Sequence, residues 1–317
     1  MSNGMRVVFM GTPEFAVPSL KALIGMGVEL VGVFTQPDRP VGRGQKLEAS
    51  PVKRVAEENG IPVFQFERVR RQAGLDCMRS LRPDLVVTAA FGQILSKKLL
   101  EVPKMGTVNV HASLLPRHRG AAPINWSIIQ GETVTGVTTM LTDEGMDTGA
   151  TLLARRVEIL PDETAGELTA RLSETGAALL KETIEKYAAG EIRPVPQNEA
   201  EMTYEPMLTK ELGVIDWRRT AGEIACLVRG VNPWPGAQTT MNGGTLKIWS
   251  ARAASETTDR EPGTVLRAGA KEGLFVACGG GTVLEIVEMQ APNAKRMNAK
   301  VYLNGKKIQI GIRFGEE

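Results

Sequence analysis

The stretch Gly106-Thr107-Val108-Asn109-Val110-His111 is a short apolar run that carries an asparagine and a histidine at its end. Earlier apolar runs of the same kind occur at Arg6–Gly11, Glu29–Phe34 and Asp84–Ala90. Stretches with helical character separate them, such as the one that opens at Pro13. Apolar strands that alternate with helices predict an α/β fold with a Rossmann-like, mostly parallel sheet. Such sheets bind ligands at the carboxyl ends of their strands.

The end of this run carries candidate chemistry. Asn109 and His111 are two positions apart on a predicted strand, so their side chains project to the same side. A donating amide beside an imidazole suits a carbonyl group that becomes tetrahedral. The amide can bind the developing oxyanion, and the imidazole can carry a proton. The second histidine of the chain, His118, follows in the same region.

The pair lacks an orienting carboxylate, and the loop Leu141–Gly149 offers Asp143, Glu144 and Asp147. Acids beside glycine are also typical turn residues, so the pattern alone leaves the choice among the three open. Two histidines seven positions apart do not have the spacing of metal ligands. We therefore expect metal-free chemistry.

A dinucleotide cofactor is a weaker alternative for this fold. The turn Gly11–Ala16 lacks the second and third glycines of the phosphate-binding fingerprint, and no P-loop pattern occurs elsewhere. NAD-dependent chemistry therefore remains only an alternative reading.

The organisation of the chain changes near residue 190. Gly190, Pro194, Pro196, Gln197 and Pro206 interrupt the helical pattern there, which predicts a linker. Short strands separated by glycine-rich turns follow, at 246–249, 263–266, 274–277 and 282–287. This spacing predicts a small β-barrel of OB-like type. We expect a catalytic domain over 1–189, a linker over 190–208 and a barrel over 209–317.

Basic residues concentrate in this second part. The whole chain has a net charge of +2, whereas residues 209–317 hold 15 Lys and Arg against 11 Asp and Glu, a net of +4. Residues 286–315 contain six basic side chains and one acid, Glu288. A basic face on a small barrel is typical of proteins that bind nucleic acid.

Cys77, Cys226 and Cys278 are widely spaced and odd in number, which argues against a disulfide framework and a zinc site. The N-terminal residues lack the apolar core of a signal peptide, and the sequence contains no apolar run long enough to cross a bilayer. We expect a cytoplasmic protein without a membrane partner.

The run His111–Ile124 resembles the signature of the methionyl-tRNA formyltransferase family. The resemblance extends over almost the whole chain, through Phe9–Ala16, Thr35–Gly44, Asp143–Gly149, Ile215–Trp217 and Arg229–Ala237. One position departs from the family, which usually carries tryptophan where this chain has His118. That position is not one of the family's catalytic residues, so we expect His118 to be a bystander.

The resemblance implies transfer of the formyl group of 10-formyltetrahydrofolate to the α-amino group of methionine on initiator methionyl-tRNA. It implies that Asn109, His111 and Asp147 form the catalytic set, which selects one of the three acids. Whether His111 begins as a base or as an acid stays open. The segment that would hold the folate consists of Ser113, Leu114, Leu115 and Pro116.

A basic loop after the second strand contains Arg39, Arg43 and Lys46 among prolines and glycines. In a generic protein such a loop would be an ordinary solvated segment. The resemblance implies that it contacts the acceptor end of the tRNA, while the basic tail of the barrel contacts the tRNA body. We expect the protein to be a monomer.

Other functions compete with this one. Proteins with the same catalytic domain formylate amino sugars or a purine-pathway amine, or hydrolyse formylfolate. The matches in the second domain and the basic loop argue against these activities. A non-enzymatic RNA-binding protein would explain the barrel but not the pair Asn109 and His111.

Overall fold

The computed structural model describes residues 4–41 and 46–316. Its strands in chain order are β1 (Arg6–Gly11), β2 (Glu29–Thr35), β3 (Arg39–Val41), β4 (Lys46–Glu48), β5 (Val63–Gln65), β6 (Leu85–Ala89), β7 (Thr107–His111), β8 (Arg119–Gly120), β9 (Val134–Leu141), β10 (Thr151–Glu158), β11 (Tyr204–Glu205), β12 (Ala237–Met241), β13 (Gly244–Thr257), β14 (Val265–Gly269), β15 (Gly273–Ala277), β16 (Thr282–Gln290) and β17 (Met297–Asn298). Its α-helices are α1 (Val17–Gly25), α2 (Pro51–Glu58), α3 (Gln72–Leu81), α4 (Lys97–Leu100), α5 (Pro123–Ile129), α6 (Ala165–Ala188), α7 (Ala221–Gly230) and α8 (Ala299–Gly305). Short 3₁₀ turns occupy Glu14–Ala16, Glu199–Glu201, Glu211–Gly213 and Gly279–Gly281.

A mostly parallel sheet forms the centre of the first half of the chain. Its strands lie in the order β10-β9-β7-β6-β1-β2-β5. The pairs β7–β6, β6–β1, β1–β2 and β2–β5 are parallel, whereas β9 runs antiparallel to β7. Phe9 of β1 pairs with Val33 on one side and Val87 on the other, and all three side chains are fully buried. Burial on both faces explains why these strands are continuously apolar.

The predicted strands of this half correspond to β1, β2, β6 and β7, within one or two residues at each end. The predicted fold class is confirmed: a mostly parallel α/β sheet is followed by a small antiparallel β structure. The parallel pairing of β6 with β7 brings their carboxyl ends, Ala89 and His111, to the same edge of the sheet.

The chain forms two compact units. The first comprises the described residues of Met1–Gly120 together with Thr135–Glu158 and Thr169–Glu205. The second comprises Ala121–Val134, Ile159–Leu168 and the described residues of Pro206–Glu317. The boundaries predicted at residues 189 and 208 stay a prediction.

Part of the segment predicted as a linker is built into the first unit. Strand β11 pairs in parallel with β8, with Tyr204 opposite Arg119 and Glu205 opposite Gly120. Gly120 has a φ of 94°, and a Cβ atom there would lie 2.7 Å from the carbonyl oxygen of Glu205. Only glycine therefore allows the two short strands to approach this closely.

The second unit contains an antiparallel sheet in the order β12-β13-β16-β15-β14, with β17 paired to β16. The strands predicted from the glycine-rich spacing correspond to β13, β14, β15 and β16. Helix α7 begins with a capping box in which the Thr220 hydroxyl and the Glu223 carboxylate each accept from the other residue's backbone N–H. Its buried residues Ile224 and Leu227 join the core of this unit.

The basic segment after β2 is partly strand rather than loop. Strands β3 and β4 form an antiparallel pair in which Arg39 lies opposite Glu48. Arg39 is exposed. Arg43 lies outside the described residues, and for Lys46 only the backbone is described.

Among the helices of the described residues, none combines the length and the apolar character that crossing a bilayer requires. Cys77, Cys226 and Cys278 are free thiols.

Candidate active site

Asn109 and His111 lie at the carboxyl end of β7, next to the end of β6. The side chain of His111 is 7% exposed, and Asn109 is half-buried. Strand pairing places Thr88 of β6 directly opposite Asn109. The two polar side chains of β7 therefore sit where an open α/β sheet presents its ligand site.

Thr88 orients the amide of Asn109. The Thr88 hydroxyl donates to Asn109 Oδ1 at 2.8 Å, and Thr88 is itself buried. This bond occupies the oxygen end of the amide. Among the described residues none accepts from Asn109 Nδ2, so that atom can donate to a ligand.

The imidazole of His111 lies between two acceptors. Its Nε2 atom is 2.9 Å from the backbone carbonyl of His118, and its Nδ1 atom is 3.6 Å from Asp147 Oδ1. A carbonyl can only accept, so Nε2 carries a proton. In the neutral ring the lone pair then lies on Nδ1, on the side of Asp147. The separation of 3.6 Å is too long for a hydrogen bond but short enough for an ion pair.

Of the three acids in the loop Leu141–Gly149, Asp147 is the one whose carboxylate faces His111. Its Oδ2 atom accepts from the backbone N–H of Gly120 at 2.9 Å, and its side chain is 18% exposed. Asp143 instead accepts from Gly145 N at 3.0 Å and from the Thr148 hydroxyl at 2.7 Å, which makes it a turn residue of the loop. The structure thus separates a loop-forming acid from the acid that faces the imidazole.

The backbone of this loop is held tightly at two points. Asp147 has a φ of 55°, a left-handed conformation that is uncommon outside glycine. A Cβ atom on Gly149 would lie 1.7 Å from the carbonyl oxygen of Leu141, so the loop closes only with glycine there. Gln197 donates from Nε2 to the carbonyl oxygens of Asp147 and Gly149, at 2.8 Å and 2.7 Å.

The segment predicted to hold folate is anchored to β9. Ser113 is fully buried, and its hydroxyl donates to the carbonyl of Arg117 at 2.6 Å. The Thr138 hydroxyl donates to the carbonyl of Ser113 at 2.7 Å and accepts from Leu115 N at 3.1 Å. Leu114, Leu115 and Pro116 are half-buried. The polar atoms of Ser113 therefore stabilise the segment itself.

His118 makes contacts through both its main chain and its side chain. Besides accepting from His111 through its carbonyl, it places its Nδ1 atom 2.8 Å from Glu205 Oε1, and both side chains are buried. Its backbone N–H donates to the Thr203 hydroxyl at 2.7 Å. That the His118 side chain is a bystander in the reaction stays a prediction, although its main-chain carbonyl holds the ring of His111.

The buried side chain of Arg119 forms hydrogen bonds to two residues of the segment 197–205, Gln197 and Glu199. Its side chain is 3% exposed and donates to Gln197 Oε1 from Nε at 3.0 Å and from Nη2 at 2.8 Å. It also binds Glu199 through two hydrogen bonds. The bond to Glu199 raises the pKa of the Arg119 guanidinium, and the negative charges of Glu199, Asp143 and Asp147 raise it further.

Sequence reasoning missed Thr88, Gln197 and Glu205. A weak signal existed for Thr88, since it is the polar residue in the apolar run Leu85–Ala89. Gln197 and Glu205 carry no local signal, because their partners are 48 or more residues away in the chain.

The basic tail of the second unit is partly neutralised. Arg296 pairs with Glu288, and Arg313 pairs with Glu261 and Glu316. Exposed lysines in the same region are Lys295, Lys300, Lys306 and Lys307. Among the described residues, no group of three or more His, Cys, Asp or Glu side chains is arranged to hold a metal ion.

The sequence of this chain is similar to those of known proteins. Residues 5–184 match the family described as "Formyl transferase", and residues 207–307 match "Formyl transferase, C-terminal domain". The methionyl-tRNA formyltransferase of Geobacter sulfurreducens is 50% identical over 313 residues, which cover 99% of this chain and 98% of that protein. The enzyme of the same name from Geotalea uraniireducens is 51% identical over 314 residues, 99% of each chain.

Solved structures share the fold at low identity. WlaRD, a sugar 3N-formyl transferase solved with dTDP and 5-N-formyl-THF, has a TM-score of 0.65 and 19% identity, over 92% of this chain and 99% of that one. An N-formyltransferase from Helicobacter canadensis was solved with folinic acid and dTDP-3-aminofucose. It has a TM-score of 0.66 and 19% identity, and the match covers 92% of this chain and 100% of that one. The matches of both halves and the identity of about half over the full length show that this chain belongs to the formyl transferase family, among the methionyl-tRNA formyltransferases.

Proposed function

We infer that this chain transfers the formyl group of 10-formyltetrahydrofolate to the α-amino group of methionine on initiator methionyl-tRNA. The observation that carries the chemistry is the convergence of Asn109, His111 and Asp147 at the carboxyl end of β7. The observation that carries the substrate is the full-length similarity to relatives named methionyl-tRNA formyltransferase. The product, formylmethionyl-tRNA, would serve translation initiation.

The reaction begins with attack of the methionine amine on the formyl carbon. In our proposal Asn109 Nδ2 donates to the oxyanion that forms, because its partner Thr88 directs that end of the amide away from β6. Removal of such a donor typically slows a reaction by about 10²–10³. Asn109 is thus proposed as the oxyanion-binding residue.

His111 is proposed to begin as the base. Its Nε2 proton is committed to the carbonyl of His118, so Nδ1 is the atom that can accept the amine proton. The positive charge formed on the ring would be stabilised by Asp147, 3.6 Å from Nδ1. The charged ring of His111 would also lie beside the oxyanion.

Collapse of the tetrahedral intermediate completes the proton transfer. The C–N bond to N10 of the folate breaks, and N10 takes the proton from His111 Nδ1. Tetrahydrofolate leaves, the methionine nitrogen keeps the formyl group and His111 returns to its neutral form. The proton lost by the amine is therefore the one gained by the folate, and this scheme assigns no step to a metal ion.

The folate contact is proposed for Ser113, Leu114, Leu115 and Pro116. Ser113 is buried and bonded on both its polar atoms, so its part would be to hold the segment in place. The half-buried residues Leu114 to Pro116 would contact the folate. A sugar formyl transferase of the same fold is solved with 5-N-formyl-THF, which supports a folate site in this fold.

The tRNA contact is proposed for Arg39, Arg43 and Lys46, with the exposed lysines of the second unit on the tRNA body. Arg39 is exposed, as a phosphate-binding side chain must be. The free thiols are consistent with a reducing compartment, and we expect a cytoplasmic monomer.

Mass spectrometry tests this function against its alternatives. The purified protein is incubated with 10-formyltetrahydrofolate and either methionyl-tRNA or a nucleotide-linked amino sugar. A gain of one formyl group on methionyl-tRNA supports the proposal. Formylation of the amino sugar alone, release of free formate alone, or RNA binding without any reaction would each contradict it.

A further inference from the structure

Gln197 lies in the segment that the sequence presents as a linker, yet it contacts the loop that carries Asp147. Its amide nitrogen donates to the main-chain carbonyls of Asp147 and Gly149, at 2.8 Å and 2.7 Å. Its hydrogen-bond partners among the described residues are Arg119, Asp147 and Gly149, and they include neither His111 nor Asn109. Its influence on the reaction must therefore pass through the position of the loop.

Arg119 determines which way the Gln197 amide points. The guanidinium has only donors, and two of its N–H groups reach the same Gln197 atom, at 3.0 Å and 2.8 Å. That atom is therefore the amide oxygen, and the NH₂ group must face the loop carbonyls. Glu199, 67% exposed, binds the outer edge of the guanidinium and keeps it in this plane.

The loop needs such support. Asp147 is held in the left-handed region at a φ of 55°, which persists only where surrounding contacts impose it. Its side chain is held by Gly120 N, and its main chain by Gln197. Gly120 and Arg119 are neighbours on β8, so one short strand supports both the carboxylate and the carbonyl of Asp147.

We propose that Gln197, aligned by Arg119, is a positioning residue that holds the Asp147 carboxylate against His111. The proposal rests on the role of Asp147 in the proposed function. It makes Gln197 and Glu199 a part of the active-site framework rather than a spacer between domains.

The test compares Gln197→Glu with Asn198→Ala. Gln197→Glu keeps the size and the contact with Arg119 but places an acceptor against two carbonyl oxygens. Asn198 is exposed and caps the turn Glu199–Glu201 without contacting the loop, so it is a matched control for damage to the segment. We expect Gln197→Glu to lower kcat about 10- to 100-fold with KM values for both substrates nearly unchanged. Asn198→Ala should behave as the wild type.

Two further measurements separate positioning from a general structural effect. In an Asp147→Asn background, Gln197→Glu should cause little additional loss, because it acts through the carboxylate already removed. Hydrogen exchange of residues 141–150, which does not depend on activity, should accelerate in Gln197→Glu and not in Asn198→Ala.

Several outcomes would overturn the proposal. These are wild-type kcat in Gln197→Glu, equal losses in Asn198→Ala, a full multiplicative loss in the Asp147→Asn background, or unchanged exchange in the loop. If Asp147→Asn is as active as the wild type, the role of Asp147 fails and this inference fails with it. If Asp147→Asn is inactive while Gln197→Glu is fully active, only this inference fails.

Discussion

The backbone carbonyl of His118 lies 2.9 Å from Nε2 of His111, so the two histidines of this chain are in direct contact. The contact assigns the proton of the neutral imidazole to Nε2 and leaves Nδ1 facing Asp147. The carbonyl belongs to the main chain, so this contact does not depend on the side chain at position 118.

Thr88→Val should slow the reaction without unfolding the protein. The change keeps the shape of the side chain but removes the hydroxyl that orients Asn109. We expect kcat to fall about 2- to 13-fold, since a hydrogen bond of this kind contributes roughly 0.5–1.5 kcal/mol. Thr88→Ser keeps the hydroxyl and should stay near the wild-type rate in single-turnover assays. Equal rates for valine and wild type would remove Thr88 from the mechanism.

Gly149→Ala should damage both the loop and the rate. The added Cβ would lie 1.7 Å from the carbonyl oxygen of Leu141, so the backbone must move and carry Asp147 with it. We expect a loss of about 1–3 kcal/mol in the free energy of unfolding, and a fall in kcat of about 100-fold. Gly25→Ala, where a Cβ meets nothing within 4 Å, is the control and should change neither quantity. A fully active Gly149→Ala would show that the loop geometry is not needed.

Arg43→Ala should weaken the salt dependence of tRNA binding. If Arg43 neutralises a phosphate, the slope of log affinity against log salt should become shallower by about 1. Lys21→Ala removes an exposed positive charge from helix α1 and should leave the slope unchanged. The measurement is KM for methionyl-tRNA over a salt series. Identical slopes for wild type and Arg43→Ala would exclude this phosphate contact.

Asp38 should make the first unit sensitive to acid. Hydrogen bonds from Lys53 and Gln65 hold the pKa of the Asp38 carboxyl below its ordinary value of 3.8. A carboxyl with a lowered folded pKa stabilises the fold above its unfolded pKa, and this stabilisation is lost as pH falls toward the folded value. Asp38→Asn should therefore flatten the decline of the free energy of unfolding below pH 3.8. Glu58→Gln, an exposed change on helix α2, should not. Urea unfolding over a pH series measures both, and parallel declines for Asp38→Asn and the wild type would contradict the pairing.

Much of the fold could be predicted from local pattern. The apolar runs of β1, β2, β6 and β7 are buried on both faces, and such strands carry a strong signal in composition alone. Helices α7 and α8 and the short strands β8 and β11 were not predicted. Two-residue strands have no periodicity to detect, and β8 and β11 pair across more than 80 residues.

The candidate site also contains residues that the sequence predicts and residues that it does not. Asn109 and His111 share a strand, so their proximity follows from a spacing of two. Asp147 could be chosen among three acids only through the resemblance to a family, because the fold of its loop depends on Gly149 and Gln197. The main-chain contact from His118 cannot be read from residue identity at all, since any residue supplies a carbonyl.

The most direct test of the proposed chemistry is single-turnover formylation of methionyl-tRNA, followed by mass spectrometry, with wild type, Asn109→Ala and His111→Ala. We predict that the wild type adds one formyl group per methionyl-tRNA. Both variants should remain folded by circular dichroism and bind tRNA, with formylation slower by about 10²–10³ for Asn109→Ala and about 10²–10⁴ for His111→Ala. Near-wild-type formylation by either folded variant would contradict the proposed active site.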